Sequence, residues 1–217
     1  MVRRYRLKNK RIYIVAMGAL LLLFVLLGIV IFGVLAKIPE EYTMTELSEE
    51  IGIPVYEVLL PEDCLARPGI ERQVKYIVVH ETANFSATAD AKAHSDYLLS
   101  ICDEQELSWH YTVDDSCIYH NLPDNEVGWH AADQLTNPGG NLNGIGIEMC
   151  VNEGGDYEQT LKNTQKLIAF LLNKYHLNLD NVKQHYDFSG KNCPMVLRDS
   201  DRWEEFLGGV EELLLNK

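Results

Sequence analysis

Apolar and polar positions divide the chain into three stretches. Residues 12–36 form 25 consecutive uncharged, mostly apolar positions closed by Lys37. At about 1.5 Å per residue such a helix reaches roughly 37 Å, enough to cross a hydrocarbon core of about 30 Å. It has no polar face, unlike a helix packed on a soluble core. Residues 37–50 are acidic and rich in Thr and Ser, and read as a linker with one helical turn. From Ile51 onward, short β-branched or aromatic runs alternate with longer stretches of helical period, so a folded domain is expected over residues 51–217.

Within that domain, the turn Arg67-Pro68-Gly69 leads into a buried strand over residues 74–80 that ends on His80. Ser86 or Thr88 then caps a helix to about Ser100, packed through Ala89, Ala93, Tyr97 and Leu98. Residues 109–113 and 117–122 flank Asp114-Asp115-Ser116 as a hairpin. After a loop over residues 137–141, residues 143–151 form a strand with Gly146, Glu148 and Cys150 on one face and Ile145, Ile147 and Met149 on the other. A carboxylate therefore projects from a core strand. Residues 159–175 read as a helix, 181–184 as a short strand, 185–194 as a loop and 201–215 as a closing helix. Strands alternate with helices but a hairpin interrupts them, which predicts an α/β fold: a mixed sheet flanked by helices, preceded by a single transmembrane helix.

The charge distribution orients this arrangement. Arg3, Arg4, Arg6, Lys8, Lys10 and Arg11 precede the apolar run, so residues 1–11 are expected to be a cytoplasmic tail and the domain to lie outside a cell membrane crossed once. A cleavable signal peptide competes through Val34-Leu35-Ala36, although its apolar region is ordinarily only about 7–15 residues long. Beyond Arg11, 13 Lys and Arg face 32 Asp and Glu, a formal charge of −19 that excludes a nucleic-acid partner. The five cysteines are either small buried apolar residues or, with one set aside as a metal ligand, up to two disulfides.

Single histidines are ordinarily structural, and His94, His120 and His176 are read that way, with His110 packed mid-strand. The arrangement of His80, His185 and Cys193 differs: two imidazoles at strand ends and a thiol in a loop broken by Gly190 and Pro194. Such donors suit zinc, and three protein ligands leave a fourth position open, as catalytic sites require.

Five runs in this order resemble the type 2 N-acetylmuramoyl-L-alanine amidases, a family that includes phage lysozyme-type amidases, bacterial cell-wall amidases and animal peptidoglycan recognition proteins. They are Tyr76-Ile77-Val78-Val79-His80-Glu81-Thr82, Ser108-Trp109-His110-Tyr111-Thr112-Val113-Asp114, Val127-Gly128-Trp129-His130-Ala131, Asn143-Gly144-Ile145-Gly146-Ile147-Glu148, and the run from His185 through Lys191 and Cys193 to Pro194. The resemblance covers about residues 54–217. It implies one zinc ion held by His80, His185 and Cys193, proton transfer by Glu148, and oxyanion stabilisation by Lys191. His130 and Asn143 are implied to line the substrate cleft. Several relatives have Tyr where this chain has Trp109, whose indole cannot donate a proton as a phenol does; an aromatic cleft wall is the role expected of it. The implied reaction is hydrolysis of the amide joining N-acetylmuramic acid to L-alanine in peptidoglycan. Rival readings are a non-catalytic peptidoglycan receptor, against which Cys193 speaks, and a zinc peptidase cutting within the stem peptide. A His-Glu-x-x-His helix is absent, since no second histidine follows His80-Glu81 at the fourth step.

Overall fold

The computed structural model describes residues 42–216 together with Met17, Leu23 and Phe24. Contacts divide the chain into two compact units, residues 1–40 and 41–217. Of the first unit only those three residues are described, each helical and exposed. The expected basic tail and transmembrane helix otherwise lie outside the described residues. Among the described residues no helix is long and apolar enough to cross a membrane.

The second unit begins earlier than the sequence led us to expect. Residues read as a linker form helix α1 (Met44–Ile51), opened by a capping box in which Thr43 and Glu46 satisfy each other's backbone amides and closed by Gly52 at φ +68°. Leu47 and Ile51, one turn apart, are buried in the main core. Burying each contributes about 1.5–3 kcal/mol, and Met44 packs partly buried against the same core, which fastens the helix to the domain although its other positions are polar. Three apolar positions, Met44, Leu47 and Ile51, among acidic and hydroxyl residues are too sparse a pattern to announce themselves.

Six strands follow: β1 (Val55–Glu57), β2 (Tyr76–Glu81), β3 (Tyr111–Val113), β4 (Ile118–His120), β5 (Gly144–Met149) and β6 (Val182–Gln184). They form one mixed sheet in the order β1-β4-β3-β5-β2-β6. Only the β3–β4 hairpin is antiparallel. Between them lie α2 (Ala91–Ile101), the single turn α3 (Gly140–Asn143), the long α4 (Tyr157–Lys174), the turn α5 (Tyr186–Ser189), α6 (Met195–Asp199) and α7 (Trp203–Leu215). The mixed sheet flanked by helices is thus as expected.

The alternation of β2 and β5 sorts side chains between two cores. Ile77, Val79, Ile145, Ile147 and Met149 join Leu161, Leu167, Ile168 and Leu171 of α4 and Phe206 and Val210 of α7 in the larger one. A smaller cluster gathers Leu60, Cys64, Ala66, Leu98, Cys102, Trp109 and Leu122. All five cysteines are unpaired thiols, four of them buried. Helix α2 starts later than anticipated, capped by Asp90, and packs through Ala91, His94, Ser95 and Leu98 rather than through Tyr97, which is 43% exposed. Its short apolar residues allow two stripes, and contact with the smaller core selects the one carrying His94.

Candidate active site

Strand register assembles the site from residues remote in the chain. β2 and β5 pair so that His80 lies opposite Glu148. β6 pairs with β2 through Val79 and Gln184, and the His185 amide continues the ladder by donating to the Val79 carbonyl at 3.2 Å. The residue after β6 therefore falls beside His80, closing a separation of 105 positions. Turn α5 ends at Gly190 in the left-handed region (φ +75°) and sends the chain back, so that the Cys193 carbonyl accepts from the Tyr186 amide at 3.1 Å. Cys193 Sγ itself accepts from the Glu81 amide at 3.5 Å.

His80 Nδ1 lies 3.0 Å from His185 Nδ1 and 4.0 Å from Cys193 Sγ, with one donor atom from each residue within 4.8 Å of the others. Tetrahedral zinc asks for about 3.3 Å between two nitrogen ligands and about 3.6 Å between nitrogen and sulfur, so the triplet fits with small adjustments. Its electrostatics fit as well. Burial holds His80 well below the ordinary histidine value and His185 at about 4, leaving both rings neutral with lone pairs to offer. Burial, and then the charge of Glu148, pushes the Cys193 thiol up to about 12; a dication would reverse that preference.

Glu148 Oε1 sits 4.0 Å from His80 Nδ1, and Oε2 has no hydrogen-bond partner within the protein. Burial raises this carboxyl to about 8, with the nearby charge of Lys191 pulling the other way. Both residues border a cavity of about 450 Å³ whose walls include Thr82, Asn84, His94, Tyr97 and Trp109. The Trp109 indole N–H donates to Thr112 Oγ1 at 2.6 Å, fixing the ring as a wall. His94, read from sequence as merely structural, belongs to the same lining.

Two of the residues expected at the substrate cleft do not border this cavity. His130 is 6% exposed and lies against His80, its Nδ1 3.0 Å from His80 Nε2. Asn143 also stands away from the cavity, spending its side chain on the Gly139 amide and the Gln73 carbonyl at the opposite end of β5. Sequence motifs locate residues along the chain but not the end or side of the sheet they occupy. Glu81, to which no role was given, points into the face opposite His80. Its carboxylate accepts from Tyr157 Oη at 2.5 Å and from the Val196 and Leu197 amides at 2.6 and 3.3 Å, anchoring the start of α6 just beyond Cys193.

Comparison with known proteins places the chain in a family. The family model Amidase_2, described as N-acetylmuramoyl-L-alanine amidase, matches residues 70–196. The chain belongs to this amidase family. It is 45% identical over 144 residues to N-acetylmuramoyl-L-alanine amidase CwlH of Bacillus subtilis (strain 168), an alignment covering 66% of this chain and 56% of CwlH. With XlyA of the same organism it shares 42% identity over 158 residues, 73% of this chain and 51% of XlyA. It thus spans about half the length of these curated relatives. The solved catalytic domain of XlyA superposes with a TM-score of 0.68 at 41% identity, covering 73% of this chain and 99% of that one. A structure titled as a mutant endolysin from Bacillus subtilis matches with the same TM-score and coverages at 42% identity.

The expected location, a single-pass cell-membrane protein with an extracytoplasmic domain, is therefore corrected. The relatives that match are amidases and an endolysin, and no described helix is long and apolar enough to span a membrane. An apolar run sets a length that could span; it does not by itself place a protein.

Proposed function

We propose that this chain is a zinc-dependent amidase that hydrolyses the bond between N-acetylmuramic acid and L-alanine in peptidoglycan. The observation that carries the reading is the buried cluster of His80, His185 and Cys193, with Glu148 4.0 Å from His80 and bordering a cavity together with Lys191. His80 Nδ1, His185 Nδ1 and Cys193 Sγ hold one zinc ion, which when bound supplies a Lewis acid. Glu148 accepts the proton of the attacking water and delivers it to the departing alanine nitrogen. Its burial favours this, since a carboxyl raised to about 8 changes protonation near neutral pH. Lys191 places a cation at the cavity for the developing oxyanion. Trp109 gives the bound stem peptide an aromatic wall.

Digestion of purified peptidoglycan followed by mass analysis tests the reading. Stem peptides beginning with a free L-Ala amine, together with peptide-free glycan, are expected. Cuts within the stem peptide would instead make the chain a peptidase, and binding without products would make it a receptor.

A further inference from the structure

We propose that His130 is a positioning residue that fixes the tautomer of His80, turning the bare Nδ1 of His80 toward His185 and Cys193; the inference rests on His80 being a metal ligand. The argument runs inward from a backbone carbonyl. His130 Nε2 lies 3.3 Å from the Gly144 carbonyl, which only accepts, so Nε2 carries the hydrogen. A neutral imidazole then has a bare Nδ1, and that atom stands 3.0 Å from His80 Nε2. One of the pair must donate, so the hydrogen belongs to His80 Nε2. His80 Nδ1 is left without a proton, the state a ligand nitrogen needs. In the opposite tautomers His130 would turn a lone pair on a carbonyl oxygen, and His80 would turn N–H toward the other two donors.

The surroundings hold His130 in this pose. The His130 and Ala131 amides both donate to Asn141 Oδ1, at 2.8 and 2.6 Å. Asp133 in turn accepts from the Gly140 and Asn141 amides. On the far side the ring rests against Gly146, where a Cβ would come within 2.8 Å of two ring carbons. Gly146 shares a strand face with Glu148, so the glycine makes room for the imidazole that orders the neighbouring ligand.

The test uses the full chain labelled with 15N-histidine, with and without zinc, at one neutral pH. His80 is expected to carry its proton on Nε2, with coupling across the hydrogen bond to His130 Nδ1. His130→Leu should weaken zinc binding by roughly 10–100-fold. His130→Asn, whose Oδ1 replaces the acceptor, should stay within a few-fold of the unaltered chain. Gly146→Ala, which displaces the ring without removing a polar group, should follow the leucine variant. A proton on His80 Nδ1 in the zinc-free chain, or unchanged zinc affinity in His130→Leu, overturns the proposal. If His130→Leu does not fold, the spectrum of the unaltered chain decides. Failure of the unaltered chain to bind zinc would instead remove the ligand reading, and the tautomer would still be legible in the same spectrum.

Discussion

Replacing Glu148 by Gln keeps the shape of the side chain and removes its charge, which separates two consequences of its burial. In the metal-free chain the folded state raises this carboxyl from 4.5 to about 8. Between those values the folded protein holds a proton that the unfolded chain has released. The contribution to stability is therefore fully present below pH 4.5 and declines as pH rises through about 8. At about 1.4 kcal/mol per pH unit the full loss is on the order of 5 kcal/mol. Urea denaturation of chelator-treated protein at about pH 5 and about pH 8.5, which spans most of that window, should show the unaltered chain losing stability relative to Glu148→Gln as pH rises. With zinc restored and its content verified, the variant should lose roughly 10²-fold or more in turnover, a barrier increase of about 2.7 kcal/mol or more. Identical pH dependence in the two proteins would contradict the buried-carboxyl argument. Turnover within a few-fold of the unaltered enzyme would remove Glu148 from proton transfer.

Cys193→Ser should abolish stoichiometric zinc in metal analysis, whereas a fully loaded variant would exclude the thiol as an essential ligand. Lys191→Ala should retain zinc and lower kcat by roughly 10²-fold, because the charge matters most in the transition state. The buried imidazoles act on the acid side: His185 and His130 are lowered to about 4 and about 3, so their contribution to metal-free stability should be complete above about 6.5 and decline as pH falls toward those values. A denaturation series over that range on Glu148→Gln, which lacks the opposing carboxyl, with no acid limb would contradict their burial as neutral rings. Leu47→Ala should destabilise the domain by about 2–5 kcal/mol in urea titration, as expected if α1 is part of the core rather than a tether.

Much of this architecture is legible in the chain because the strong elements carry strong periodicity. The alternation over β5 assigns Ile145, Ile147 and Met149 to the core and Glu148 to the other face, where the structure places it. The His80, His185 and Cys193 cluster could be anticipated as residue types but not as a point in space, because the pairing of Val79 with Gln184 that joins its halves is a long-range choice. The weaker elements failed for physical reasons. α1 shows only one buried pair, α2 offers two apolar stripes, and His130 and Asn143 belong to motifs whose letters do not distinguish a cleft wall from its support. The signal for His130 was present in Gly146: a glycine inside a core strand marks close approach by something large.

The last two residues of β2 divide the labour of the strand between its faces. His80 offers its ring to one side, while Glu81 grips the amides that begin α6 on the other and so steadies the segment carrying Cys193. Function here depends on parity. Loss or gain of one residue within β2 would exchange the two, bringing a carboxylate to the imidazole's place and leaving an imidazole facing helix amides that need an acceptor. Substitutions in this strand can be graded by size and charge, but a single-residue insertion or deletion has no mild form. It would disable the centre and unfasten its third donor at once.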